Sequence, residues 1–170
     1  MKKRCIFCFA VFAFCLLILS GCGEQETRIY EYEDEESYFS IEVPADWTVD
    51  INEGWPGFPG DTPEESYEAS PDVGLYIYVD GEEENQIYFY RQWGHISSFL
   101  KEDGKVSVNE SLSAAHYKEE RDGLVLETYI FDEEGITGSG FYALSIALPR
   151  QVYRSHQKEI QRAVESICIR

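Results

Sequence analysis

Residues 75 to 90 read Leu75-Tyr76-Ile77-Tyr78-Val79-Asp80-Gly81-Glu82-Glu83-Glu84-Asn85-Gln86-Ile87-Tyr88-Phe89-Tyr90, and this stretch decides the fold class. Leu75, Ile77 and Val79 alternate with Tyr76 and Tyr78; past an acidic connection, Ile87 and Phe89 alternate with Tyr88 and Tyr90. A repeat of two belongs to an extended strand, whose successive side chains point to opposite faces. The two runs are therefore the arms of an antiparallel hairpin. Both faces of each arm are apolar or aromatic, whereas a sheet with one wet face alternates apolar with polar. Helices or loops are thus expected to cover both sides, and the fold class is α+β.

More strands lie on either side of the hairpin. Phe39, Ile41 and Val43 share one face of a strand that Pro44 ends. Ala45-Asp46-Trp47 makes a turn, and Trp47 to Ile51 is expected as the paired return strand. Asn52 to Pro71 carries four prolines and three glycines, a loop long enough to suggest a functional or disordered segment. Trp93, Ile96, Phe99 and Leu100 switch to helical spacing, with Gly104 as the stop. Asp122-Gly123, between Ala115–Arg121 and Leu124–Phe131, is the strongest hairpin signal in the chain. A third strand, Phe141 to Leu148, follows. Pro149 then opens a helix in which Val152, His156, Ile160, Ala163 and Val164 share a face, and Ser166 to Arg170 forms a short extended tail.

The N-terminal end reads as an address. Met1-Lys2-Lys3-Arg4 is basic, and Cys5 to Leu19 is an apolar run of 15 residues. A permanent span needs about 20, so a removed secretory leader is the better reading. Its end, Leu19-Ser20-Gly21-Cys22, resembles the lipobox of bacterial lipoproteins, in which cleavage leaves a lipidated cysteine at the new N-terminus. Residues 1–21 are then a signal peptide. Residues 22–37 form a lipidated acidic tether, with an edge strand near Arg28 to Glu33, and residues 38–170 make one domain. Cys22 is the lipidation site, and the expected location is the extracytoplasmic face of a bacterial membrane.

Loss of Lys2, Lys3 and Arg4 leaves 11 basic against 32 acidic residues, a formal charge of −21. Nucleic acid is excluded as a partner, because phosphate binding depends on clustered Lys and Arg. Anionic headgroups are expected to repel this domain too. The charge serves solubility by default, with a basic partner or a cation as the sharper alternative. Three of the five cysteines leave with the leader and Cys22 is acylated, so Cys168 has no partner for a disulfide. Cys168 is expected to be an inert buried thiol.

Phe39-Ser40-Ile41-Glu42-Val43-Pro44-Ala45-Asp46-Trp47 resembles the F-S-I-x-x-P-x-x-W opening of the PsbP-like (Mog1/PsbP/DcrB) superfamily. The closing Ile160-x-x-Ala163-Val164-Glu165-Ser166-Ile167, behind an antiparallel meander, is similar to that family's last element. The resemblance implies a sheet sandwiched between helices, an α/β/α arrangement. It also implies a binding or assembly role, since members include photosystem accessory subunits, a nuclear-transport GTPase partner and bacterial lipoproteins. It transfers no catalytic or ligand residue.

Gly138-Ser139-Gly140 lacks the G-x-S-x-G spacing and precedes a strand, where a nucleophile elbow needs a helix. His95, His116 and His156 are too scattered for zinc, and no cofactor is implied. Asp80, Glu82 and Glu84 gather hard oxygen ligands on one turn, the candidate cation site, although without EF-hand spacing. Trp55 and Phe58, in a proline-stiffened loop, are the candidate anchors for a protein partner in the cell envelope; the competing reading has them fold back as a lid over the sheet. The four tyrosines of the hairpin are either covered core or a stacking platform for sugars. The leading expectation is a membrane-anchored, non-catalytic binding or accessory domain. A calcium-responsive module and a hydrolase with an unrecognised site are the alternatives.

Overall fold

The computed structural model describes residues 25–35, 37–53, 72–93, 105–131 and 140–170. Ten strands and two short helices are found there: β1 Thr27–Glu33, β2 Tyr38–Pro44, β3 Thr48–Asn52, β4 Asp72–Tyr78, β5 Gln86–Trp93, β6 Lys105–Ser107, β7 Ser113–Arg121, β8 Leu124–Phe131, β9 Gly140–Pro149, α1 Arg150–Ser155, α2 Gln157–Glu165 and β10 Cys168–Ile169. A single 3₁₀ turn, Val79–Gly81, joins β4 to β5.

All strand pairs are antiparallel. Seven strands form one sheet in the order β3-β4-β5-β9-β8-β7-β6, and three form another in the order β1-β2-β10. The expected third strand, β9, is the spine of the large sheet, paired to β5 on one side and β8 on the other. The Asp122-Gly123 hairpin forms as read: both turn residues have positive φ, 54° and 81°. That is the backbone of a type I′ turn, and it suits the twist of the flanking strands.

Period two sorts the large sheet into two faces. Leu75, Ile77, Ile87, Phe89, Tyr142, Leu144, Ile146, Leu148 and Val125 are all buried on the inner face. The small sheet packs on that face through Phe39, Ile41 and Val43, each exposed by 1% or less. Phe39 is central: its ring lies 4.8 Å from Phe89, 5.6 Å from Tyr142 and 5.1 Å from Tyr32. Ile160, Ala163 and Val164 of α2 and Tyr153 of α1 join the same core. The second layer is therefore part sheet and part helix. Both described helices lie on this one face; Trp93, expected to open a helix, ends β5 instead, and the rest of that expected helix, Ile96 to Leu100, falls outside the described residues.

Further expectations need correction. Trp47 to Ile51 does not return along β2: β3 pairs with β4 in the large sheet, while β2 pairs with β1 and β10. The reason is the corner at Pro44, where the Trp47 N–H donates to the Pro44 carbonyl at 3.1 Å and the chain passes from one layer to the other. The C-terminal helix is not continuous, because His156 (φ −108°, ψ 16°) breaks it into α1 and α2. The edge strand read near Arg28 to Glu33 is present as β1, Thr27–Glu33, paired with β2 along its whole length. The extended tail is present as β10, with Cys168 opposite Ser40. Its thiol is half-buried rather than buried.

Candidate functional site

Only some of the expected site residues are described. Cys22, Trp55, Phe58, His95 and Ser139 lie outside the described residues. Asp80, Glu82 and Glu84 sit on the exposed turn after β4. There Asp80 adopts φ 57° and its Oδ2 meets His156 Nε2 at 3.0 Å. His156 also stands edge-on to Trp47, with ring centroids 6.0 Å apart. The acidic turn is thus tied to the break between α1 and α2. Among the described residues no group of three or more His, Cys, Asp or Glu side chains is placed to hold a metal ion.

Three of the four hairpin tyrosines are not covered core. Leu75, Ile77 and Phe89 take the inner phase, so Tyr76, Tyr88 and Tyr90 are turned to the outer face, half-buried and outside the core. They stack on one another, Tyr76 on Tyr88 at 4.1 Å and Tyr88 on Tyr90 at 4.7 Å, with planes within 13°. A sugar platform needs an open ring face, and Tyr88 has a tyrosine against each of its own.

The most elaborate polar cluster was missed by the sequence reading. Glu127 of β8 follows Val125 and precedes Tyr129 and Phe131 in the same phase, which places a carboxylate on the buried face at 4% exposure. Lys118 is its cross-strand neighbour on β7, Ile146 its neighbour on β9, and Tyr153 descends from α1. A buried charge must be paired and hydrogen-bonded. Here Oε1 is 2.7 Å from His116 Nε2 and accepts from the Tyr129 hydroxyl at 2.9 Å. Oε2 accepts from the Tyr153 hydroxyl at 2.6 Å and from Lys118 Nζ at 3.2 Å. Lys118 Nζ also bonds the Tyr153 oxygen. The signal was present in the sequence: an acid in phase with Val125, Tyr129 and Phe131.

Burial alone would raise the Glu127 carboxyl, but hydrogen bonds from Tyr153, His116 and Tyr129 and the charge of Lys118 outweigh it and hold it below the usual carboxylate range. Burial works against the Lys118 ammonium, yet its bond to Tyr153 and the Glu127 charge lift it above an ordinary lysine. Tyr129 and Tyr153 are pushed up, first by burial and then by Glu127. A carboxylate offers about four lone-pair positions, and all four are taken. The cluster thereby joins β7, β8 and α1.

The outer face carries a different feature. In register across five strands lie Tyr117, Thr128, Ser145, Tyr88 and Tyr76, a row of hydroxyl groups. An open groove of about 670 Å³ runs over Tyr117, Glu119, Leu126, Thr128, Ser145 and Ala147, where the small side chains of β9 leave room. The Tyr117 hydroxyl is buried without a hydrogen-bond partner among the described residues. Groups of this kind fix small polar ligands or the backbone of a partner.

Among the described residues no helix is long and apolar enough to cross a membrane. No family model matches the chain, and no curated protein does. Among solved structures the chain is similar to cyanobacterial PsbP (CyanoP) from Synechocystis sp. PCC 6803, at 8% identity over 88% of this chain and 96% of that one, with a TM-score of 0.40; so loose an overlap transfers neither partner nor activity.

Proposed function

We propose that this chain is an extracytoplasmic bacterial lipoprotein, held in the membrane through acyl chains on Cys22, whose PsbP-like domain works as a non-catalytic binding or accessory module. The basic start, apolar run and Leu19-Ser20-Gly21-Cys22 motif support the anchor. The observation that carries the non-catalytic reading is the saturation of Glu127: the most perturbed titratable cluster among the described residues is closed on itself. Binding is supported by the hydroxyl-lined groove on the outer face, and Trp55 and Phe58 remain the proposed protein-contacting pair.

Labelled palmitate tests the anchor: wild type takes it up, Cys22→Ala does not, and equal labelling of the two overturns it. A panel of ester, glycoside and phosphate substrates tests the rest. Turnover that disappears in Glu127→Gln while the melting temperature holds would make the protein a hydrolase.

A further inference from the structure

The charge of this protein is segregated in a way that its average conceals. From Arg150 to Arg170 there are five basic and two acidic residues, whereas residues 22 to 149 hold six and thirty. Four of the five, Arg150, Arg154, Lys158 and Arg162, follow one another at steps of four along α1 and α2, and all four are exposed. Arg150 and Arg154 lie about one turn apart on α1, and Lys158 and Arg162 about one turn apart on α2, on either side of the break at His156. The buried residues of the two helices are Tyr153 on α1 and Ile160, Ala163 and Val164 on α2. The stripe therefore faces away from the core, on the outside of the second layer. Arg150 Nε is 3.2 Å from Glu120 Oε2; Arg154, Lys158 and Arg162 make no ion pair among the described residues. Glu159 and Glu165 are the only acids on the two helices.

The far end of the stripe meets the start of the described chain. Arg162 lines a pocket of about 250 Å³ together with Gln25, Thr27, Glu42 and Pro44. The path there is fixed, since the Ala45 N–H donates to the Glu26 carbonyl at 2.8 Å and Thr27 opens β1 against Pro44. Cys22 lies three residues before Gln25, so its backbone stays within about 11 Å of Gln25 even if fully extended. A membrane that receives acyl chains on Cys22 passes close to Arg162. The basic stripe starts at that point.

We infer that the α1–α2 stripe docks on anionic phospholipid headgroups and thereby sets the domain's orientation on the membrane; this rests on the Cys22 anchor proposed above. The anchor makes docking an intramolecular event, so a modest surface suffices. Basic residues within a Debye length of an anionic surface each favour the docked arrangement about fivefold. The acids concentrated elsewhere are repelled by the same surface, and both effects turn the helices toward the bilayer. The large sheet's outer face, with its groove, is then directed away from the membrane and open to a partner.

The test uses the full-length acylated protein in two vesicle types, pure phosphatidylcholine and phosphatidylcholine with 30 mol% phosphatidylglycerol. A fluorophore is placed on Gln161→Cys beside the stripe, or on Glu119→Cys of β7 on the outer face, each in a Cys168→Ser background. A nitroxide on the lipid headgroup reports proximity. The expected result is at least threefold stronger quenching at position 161 with phosphatidylglycerol than without. It should disappear in 0.5 M salt and in the triple variant Arg154→Glu, Lys158→Glu, Arg162→Glu, with little quenching at position 119 throughout. Equal quenching at 161 in both vesicle types, or stronger quenching at 119, overturns the docking and leaves an acidic protein as the occupant of the stripe. Flotation separates the two proposals: protein that floats with vesicles but is not quenched removes docking alone, whereas wild type that fails to float removes the anchor, and docking with it.

Discussion

The Tyr153 hydroxyl donates a 2.6 Å hydrogen bond to the Glu127 carboxylate, joining the first C-terminal helix to the inner face of the seven-stranded sheet. Both groups are buried, at 8% and 4% exposure, so water replaces neither partner at low cost when the bond is lost.

Tyr153→Phe keeps the ring and removes that donor. Leaving a buried acceptor short of a partner costs about 1–3 kcal/mol, and in a domain near 150 residues that lowers the melting temperature by roughly 3–10 °C. Glu127→Ala should cost more, since it strands Lys118 and three other donors at once. Thermal denaturation followed by circular dichroism checks the order; a Tyr153→Phe protein as stable as wild type removes the cluster's structural role.

The same cluster predicts the pH profile. The Glu127 carboxyl is lowered in the folded protein, so its contribution is present above the ordinary carboxylate range and is lost as pH falls through its folded value. Lys118, Tyr129 and Tyr153 are raised, so their contributions are full below about pH 10 and are lost as pH rises through their folded values. Tyr32, pushed up to about 12 by burial and by Asp34, adds to the alkaline limb. Stability should be level between about pH 5 and 9 and fall on both sides. Glu127→Gln should lose most of the acid limb that this residue supplies, which urea titrations at pH 3 and pH 7 measure.

Gly74 sits opposite Tyr90 in the β4–β5 ladder, and a Cβ there would come within 2.4 Å of the Phe89 carbonyl oxygen. Backbone cannot move aside as a side-chain tip can, so Gly74→Ala should be among the most damaging single substitutions. Gly123→Ala meets nothing within 4 Å but is held at φ +81°. It should cost only about 1 kcal/mol, from backbone strain alone. Soluble yield and denaturant midpoints distinguish the two; a Gly123→Ala protein worse than Gly74→Ala would contradict the β4–β5 register.

Calcium should have little effect. Asp80 directs its carboxylate to His156, and Glu82 and Glu84 are exposed on a turn around which no metal-holding group of three ligands forms among the described residues. The expected change in melting temperature at 1 mM calcium is under about 1 °C, because a ligand stabilises only in proportion to its occupancy. A saturable rise at sub-millimolar calcium, lost on neutralising Asp80, Glu82 and Glu84, would restore the cation-responsive reading.

Local pattern made much of this fold legible. Period two identified β2, β4, β5, β8 and β9, and Asp122-Gly123 fixed one hairpin, because those signals are carried by neighbouring residues. The destination of Trp47 to Ile51 was not legible: alternation shows that a segment is a strand, but not which edge it joins after a corner such as Pro44. The break at His156 was hidden because Val152, His156 and Ile160 keep helical spacing across it. Glu127 was lost among 32 acids, although its phase with Val125 and Tyr129 marked it as buried. The basic stripe was masked by the net charge, an average that carries no information about place.

Intact-mass and N-terminal analysis of the protein extracted from bacterial membranes tests the lipid tether at Cys22. The mature chain should begin at Cys22 and carry the added mass of a diacylglycerol group on that residue. A mature chain beginning anywhere else, or one beginning at Cys22 with an unmodified thiol, would contradict it.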